Sequence, residues 1–306
     1  MSSISILGIY AADLVFFSDR IPKTGETILG SEHVIGPGGK GSNQAVAAAK
    51  SGGSVSFISK IGNDQYGKNA LKIYKELNID FSNVIISDEY ATGVAGIMVN
   101  KETGENAINV VPGAAGKISK EDIVKASDTI KKSSIFLTQL EAPTDVVEYA
   151  IEVAHLNKVT TILNPAPAAK LKEETFELID YFTPNETETS FYVNSKVETK
   201  EDAKNASNQL LDKGIKNIII TLGDKGAYFA NAKENFHIDA FDLGNRVVDT
   251  TGAGDGFVAG FAVALQEGKN VKDAIKFANA LAGLSTTKIG TAQSMPNRLE
   301  IDSLND

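Results

Sequence analysis

The sequence predicts an α/β fold, with a central, mainly parallel sheet flanked by helices. Three observations carry that expectation. Short β-branched runs alternate with longer helical segments along most of the 306 residues. A hydrophobic fraction of 42% and a charged fraction of 23% supply a sizeable core without any run as long as a membrane span. At this length the chain forms one large α/β domain or a domain with an appendage, and there is no internal repeat, low-complexity tract or long linker to divide it.

Taken in order, residues 3–9 read as a first buried strand. The N-terminal stretch MSSISILGIYAADLVFF lacks a basic n-region, and Asp13 interrupts it soon after the apolar run, so it reads as a buried first strand and not as a signal peptide. Further buried strands are expected at 55–59, 134–140, 159–163 and 217–222. Helical segments fall between them at 42–50, 67–77, 144–156 and 203–213. One region breaks the rhythm. Residues 92–100 and 106–111 are strand-like and joined by the polar turn KETGEN, which reads as a β-hairpin. Residues 16–35 also lack helical periodicity. Together these stretches fit either a small β flap outside the main sheet or a decorated sheet edge. After Gly254 the apolar positions Phe257, Val258, Phe261, Ala262 and Leu265 follow helical spacing, so a buried helix begins there.

Composition excludes several classes of function. The formal net charge of −9 argues against non-specific nucleic-acid binding, though not against a small anion held by local amides. With no cysteine there is no disulfide, thiolate nucleophile or Cys-ligated zinc. His33, His155 and His237 have no short metal-ligand spacing. No membrane association is expected, and a cytoplasmic location is.

Ligands of parallel sheets bind at the carboxyl ends of the strands, so the residues following each strand carry the chemistry. VVDTTGAGDGF (247–257) places Thr251, Gly252, Ala253 and Gly254 at a helix start, where unpaired N–H groups can hold an anion. A tight turn with Asp255 favouring the helix dipole accounts for the same residues. No G-x-G-x-x-G directly follows the first strand, and 252–257 has Phe257 where the third glycine would stand, which disfavours an NAD-dependent oxidoreductase; no Walker loop exists. GPGGKGSNQAVAAA (36–49) puts four glycines and Lys40 before an Ala-rich helix; it is either a loop that lets backbone approach a ligand or a flexible lead into a packed helix. In TPNETE (183–188), Asn185 and Glu188 suit a water-mediated magnesium site or an N-cap pair, and taken alone the motif favours the cap. TLGDKGAYF (221–229) is a strand and turn of low specificity, and NPAPA (164–168) is a rigid loop with no local functional reading.

In order along the chain, GGKGSNQA, QLE (139–141), NPAPA, TPNETE, TLGDKG and DTTGAGD resemble the ribokinase-like sugar kinases, the PfkB carbohydrate kinase family. The likeness runs nearly end to end, to the region of Pro296, and DTTGAGD is its most specific part. It implies a ribokinase-like fold over residues 1–306, with a discontinuous β lid from about 14–37 and 91–111 that often forms a homodimer contact. It implies an ATP-dependent kinase transferring the γ-phosphate to a primary hydroxyl of a small sugar, D-ribose at O5 first, with another pentose, a ketohexose or a nucleoside as alternatives.

By the same resemblance Gly252, Ala253 and Gly254 form an anion hole and Asp255 accepts the sugar proton. Asp13, Gly39, Lys40, Asn43 and Glu141 hold the sugar. Asn185 and Glu188 organise Mg2+ and phosphates, and Thr221, Gly223, Gly226 and Asn279, with Asn185, line the ATP site. Asp249 and Thr251, with Ser285, Lys288, Gly290 and Ser294, match a K+ loop, mostly through carbonyls.

Two residues depart from the family pattern. Ribokinases carry Asn two positions before the sugar-binding Asp, and here GIYAAD (8–13) has Ala11. An alanine cannot hydrogen-bond a hydroxyl, a loss of about 1 kcal/mol. Asn279 replaces a frequent His, a change expected to alter nucleotide contacts and leave the chemistry intact.

Overall fold

The computed structural model describes residues 3–305. β1 (Ile4–Leu7) is buried at every position, as an interior strand of a parallel sheet requires. The chain then leaves for a second sheet through β2 (Ala11–Ser18) and β3 (Glu32–Gly38), and returns by α1 (Lys40–Lys50). β4 (Val55–Gly62), α2 (Gln65–Glu76) and β5 (Asp80–Ser87) follow, then the hairpin β6 (Thr92–Asn100) and β7 (Asn106–Gly113). The alternation resumes with α3 (Lys120–Lys132), β8 (Ile135–Thr138), α4 (Thr144–Leu156), β9 (Thr160–Leu163), α5 (Glu173–Phe176) and β10 (Tyr181–Phe182). It continues through α6 (Glu186–Val193), α7 (Lys200–Leu211), β11 (Asn217–Thr221), β12 (Ala227–Asn231) and β13 (Asn235–Ile238). Three helices complete it: α8 (Ala253–Gln266), α9 (Val271–Ser285) and α10 (Arg298–Asn305).

The main sheet has nine strands in the order β13-β12-β11-β10-β9-β8-β1-β4-β5. Its pairings are parallel from β5 across to β11, and antiparallel only at the β11–β12–β13 edge. Side chains alternate across each strand. Ile4, Ile6, Ile135 and Leu137 join the core under α1, α8 and α9. Leu7 and Phe136 join the opposite core under α3 and α4. The helices therefore cover both faces, as the alternating pattern predicts.

The irregular stretches form a separate four-stranded sheet, β3-β2-β6-β7, so the flap reading holds over the decorated edge. Its centre is a parallel β2–β6 pair, with antiparallel partners outside. β2 begins at Ala11, ahead of the boundary near 14 expected from sequence, so Asp13 lies inside a strand of this sheet. The first strand and that at 134–140 also end earlier than expected, at Leu7 and Thr138. The chain must turn there: a Cβ on Gly8 would lie 2.3 Å from Gln139 Oε1.

Asp64 ties the second sheet to the first. It caps α2 by accepting from Gly67 N at 2.9 Å, and accepts from Thr92 N and Thr92 Oγ1, each at 2.7 Å, where β6 begins. Burial alone would raise its pKa, but hydrogen bonds from Gly67 and Thr92 outweigh it and hold the carboxyl below its ordinary value. A carboxylate depressed in the folded state adds stability above its unfolded pKa of ~4 and loses it as pH falls. Asp64→Ala is therefore expected to lower unfolding stability at neutral pH by about 2 kcal/mol. In urea titrations that deficit should shrink as the pH falls below ~4.

Candidate active site

Two helix starts meet at the carboxyl ends of the central strands. α1 begins at Lys40 behind Gly39, whose φ of 86° suits glycine. A Cβ on Gly39 would lie 2.7 Å from Ile9 O, and one on Gly38 only 2.0 Å from Asp13 Oδ1. The glycines of this loop thus admit the protein's own backbone and the Asp13 carboxylate. The flexible-lead reading of the loop is set aside, because it is close-packed.

α8 begins behind Gly252, in the left-handed region at φ 81°. Of the expected free amides in its entrance, two are used internally. Thr251 N donates to Asp249 Oδ1 at 2.9 Å, and Ala253 N donates to Thr250 O at 3.2 Å. Ala253 is therefore a weaker anion donor than the sequence suggests. Gly254 N, in the first turn, has no intrahelical acceptor by its position, and a Cβ on Gly254 would meet nothing within 4 Å. That face of the turn is open.

Asp255 follows directly and is only 5% exposed. Its Oδ2 accepts from Asn43 Nδ2 and its Oδ1 from Gln44 Nε2, both at 3.0 Å, so neighbouring residues of α1 grip both oxygens. Gln44 is fixed in turn: its Oε1 accepts from Gln139 Nε2, and its Nε2 lies 3.2 Å from Asn164 Oδ1. Asn164 Nδ2 donates to Thr183 O at 2.9 Å. A relay of amides from the ends of β8, β9 and β10 therefore orients the carboxylate. Gln44 and Asn164 carry no role in the local sequence reading; only their places inside GGKGSNQA and NPAPA marked them.

Lys40 stands among acids. Attraction from Asp255 raises its pKa against the opposing effect of burial, with Glu141 and Glu188 adding to the rise. Its backbone N–H donates to Glu141 Oε2 at 2.7 Å. Burial pushes Glu141 up to about 7, Lys40 opposes this, and Asp255 and Asp13 reinforce it. Burial likewise pushes Asp13 up to about 6, opposed by a hydrogen bond from Thr291 and reinforced by Asp255. A pocket of crowded buried acceptors suits a ligand rich in hydroxyl donors.

The second half of the cleft continues along β10 and β11. Asn185 and Glu188 form a full capping box: Asn185 Oδ1 accepts from Glu188 N at 2.8 Å, and Glu188 Oε2 accepts from Asn185 N at 2.9 Å. The cap reading is correct, and the Glu188 carboxylate, its pKa raised by burial, also feels Lys40 and Asp255. Among the described residues no three His, Cys, Asp or Glu side chains gather as a metal cage. One amide and one carboxylate beside the cleft do fit a magnesium ion held through water and phosphates. Thr221 bridges to Asn185 across β10–β11. Gly226 packs its turn on 238–240, and Asn279 Nδ2 donates to Asp239 O at 3.1 Å, so these residues share one wall.

The remaining sequence-derived residues converge from three segments. Asp249 Oδ2 accepts from Gly290 N at 2.9 Å, and Val248 N and Asp249 N donate to Thr286 O. Ser285 Oγ and Ser294 Oγ donate to the carbonyls of Ala282 and Thr291. Lys288 Nζ turns away to Glu300 Oε1 at 2.8 Å, so its side chain takes no part. A hollow of about 810 Å3 lies at the opposite end of the sheet, at the starts of β8 to β11, where Lys216 and Asp180 pair with each other at 2.7 Å. It is remote from this chemistry.

A model of the pfkB family carbohydrate kinases matches residues 1–298. The chain is 39% identical to a ribokinase of Haemophilus influenzae, over 97% of this chain and 96% of that one. It is 36% identical to a deoxyribokinase of Salmonella typhi, over 96% and 95%. The solved structure of Arabidopsis thaliana ribokinase complexed with ribose and ATP is 30% identical and superposes with a TM-score of 0.90, covering 99% of each chain.

Because Asp13 and Glu141 are raised in the fold above their ordinary values of ~4, the folded state binds extra protons below neutrality. Their contribution to stability is present at low pH and is lost as pH rises through about 6 and about 7. Glu141→Gln keeps an acceptor for Lys40 N without the charge. Its melting temperature relative to the unmodified chain is expected to rise between about pH 5 and about pH 8.

Proposed function

The chain belongs to the pfkB family of carbohydrate kinases, and on that premise we propose that it transfers the γ-phosphate of ATP to the primary O5 hydroxyl of D-ribose. It is a phosphotransferase acting on a sugar hydroxyl. The observation that carries the proposal is the buried Asp255 carboxylate, held by Asn43 and Gln44 beside the open first turn of α8.

In this reading Asp13, Glu141, Lys40 and Asn43 hold the sugar hydroxyls, with the backbone of Gly39 alongside. Asp255 accepts the proton of the attacking hydroxyl as the new O–P bond forms and the bond to the leaving ADP breaks. Phosphoryl transfer needs positioning and charge stabilisation more than covalent chemistry. The amide of Gly254, with Gly252 and the partly engaged Ala253, faces the transferring group. Thr221, Gly223, Gly226 and Asn279 line the nucleotide. Asn185 and Glu188 would hold Mg2+ through water, and the bound ion would neutralise phosphate charge. A K+ ion beside the anion loop would be held by carbonyls of the 249–251, 285–290 and 294 segments, because the Asp249 carboxylate already binds two backbone N–H groups. A need for ATP supports a cytoplasmic location as part of this reading. No helix among the described residues is long and apolar enough to cross a membrane.

Ala11 shares a strand face with Asp13, two residues on, and is buried. A methyl therefore lies where an amide would reach a sugar hydroxyl. The relatives at 39% and 36% identity bear different sugar names, so identity does not separate ribose from deoxyribose, another pentose, a ketohexose or a nucleoside. We also propose a homodimer through the lid. Val34, Ile108 and Val110 are exposed on the Asp13 face of the second sheet, and Phe16, Ile35 and Met98 on the other. A monomer would leave this apolar surface in water.

ADP release measured over ribose, deoxyribose, ketoses and nucleosides, with and without potassium, is expected to be fastest with a pentose. No turnover with any of them would sink the proposal. Asp255→Asn is expected to lower kcat by about 100-fold or more. Ala11→Asn should move the kcat/KM ratio toward ribose; an unchanged ratio means that Ala11 does not set selectivity. In sedimentation velocity, Ile108→Lys is expected to shift a dimer toward monomer.

A further inference from the structure

Thr291, in the segment after α9, touches three parts of the site at once. Its Oγ1 donates to Pro37 O of β3 at 3.1 Å. Pro37 precedes Gly38, where a Cβ would lie 2.0 Å from Oδ1 of Asp13 in β2, and the same hydroxyl opposes the rise of the Asp13 pKa. Its Cα and Cβ lie behind the anion loop, 3.2 and 3.4 Å from where a Cβ on Gly252 would stand. The preceding residue, Gly290, is tied to Asp249 through its N–H, and the Thr291 carbonyl accepts from Ser294 N and Ser294 Oγ.

This placement matters because of what surrounds Asp13. Asp255, Glu141 and the Tyr10 phenol interact electrostatically with it, and none of them stabilises its negative charge. A hydroxyl has one proton, and here it goes to Pro37 O, next to the Gly38 backbone on which Asp13 packs. Removing it frees β3 beside Asp13, and both belong to the sheet that closes over the sugar side. The backbone of Thr291 meanwhile stays with the loop that faces the phosphoryl group.

We propose that Thr291 is a positioning residue for the sugar, latching β3, on which Asp13 packs, to the loop behind Gly252. The proposal rests on the sugar-kinase reading above. Through this latch the acceptor sugar and the phosphoryl-binding turn keep one register, although one lies against the second sheet and the other opens α8.

The test is steady-state kinetics on the full chain with the best sugar of the screen. Thr291→Val keeps the shape and removes the hydroxyl. It is expected to raise the KM for sugar about tenfold, leaving kcat and the KM for ATP unchanged. Thr291→Ser should restore the sugar KM. An unchanged sugar KM in the valine variant overturns the proposal, as does a parallel rise in both KM values, or a serine variant that behaves like valine. If the valine variant does not fold, Thr291→Ala is measured in its place, and an unchanged sugar KM there overturns the proposal equally. An unmodified enzyme inactive on every sugar sinks the kinase reading and the latch together. An active enzyme whose valine variant is normal sinks the latch alone.

Discussion

Everything in the cleft is arranged around one contact, the grip of Asn43 and Gln44 on the two oxygens of Asp255. It joins the first turn of α1 to the first turn of α8 across 212 and 211 positions of sequence. A buried carboxylate is tolerated only where donors satisfy it, and here two neutral amides do so. Neutral donors have a further consequence. They fix the direction of the carboxylate without cancelling its charge. The close approach of Gly38 and Gly39 to Ile9 and Asp13 brings α1 near enough for this, because any Cβ there would collide.

The charges around that contact are of one sign, with Lys40 as the counterweight. Asp13 and Glu141 are driven up by burial and by Asp255, and Lys40 offsets part of the rise at Glu141 only. Groups perturbed in this way concentrate at functional sites, since a purely structural cluster would be expected to pair its charges. The second sheet contributes Asp13, the main sheet contributes Glu141, and the two helix starts contribute Lys40 and Asp255. No single element contains the site.

Much of this is legible along the chain. The alternation of β-branched runs with helical stretches marks the parallel sheet, because strands buried on both faces must be apolar throughout. The TPNETE cap is legible for a related reason: Asn185 and Glu188 are three residues apart and bond each other, so local spacing contains the whole interaction. The turn after Thr221 and the helix after Gly254 also follow from local pattern. Less legible is the engagement of Ala253 N by Thr250 O, which depends on how the loop folds before the helix begins. The pairing partner of β2 was equally hidden: a hairpin at 92–113 is readable, but its parallel docking beside β2 is not.

The sequence by itself determined the α/β layering, the helix starts, the Asn185 cap and, through motifs in a fixed order, the family. Each depends on residues within a few positions of one another or on a pattern repeated along the chain. Tertiary structure alone decided that Gln44 and Asn164 hold the carboxylate steady, that Asp13 belongs to the second sheet, that Lys288 turns outward to Glu300, and that Thr291 reaches Pro37 across 254 positions. Such contacts leave no local periodicity or spacing to read. They exist because packed layers bring remote backbone ends to one edge of a sheet, and the geometry of that packing is not written in any single segment.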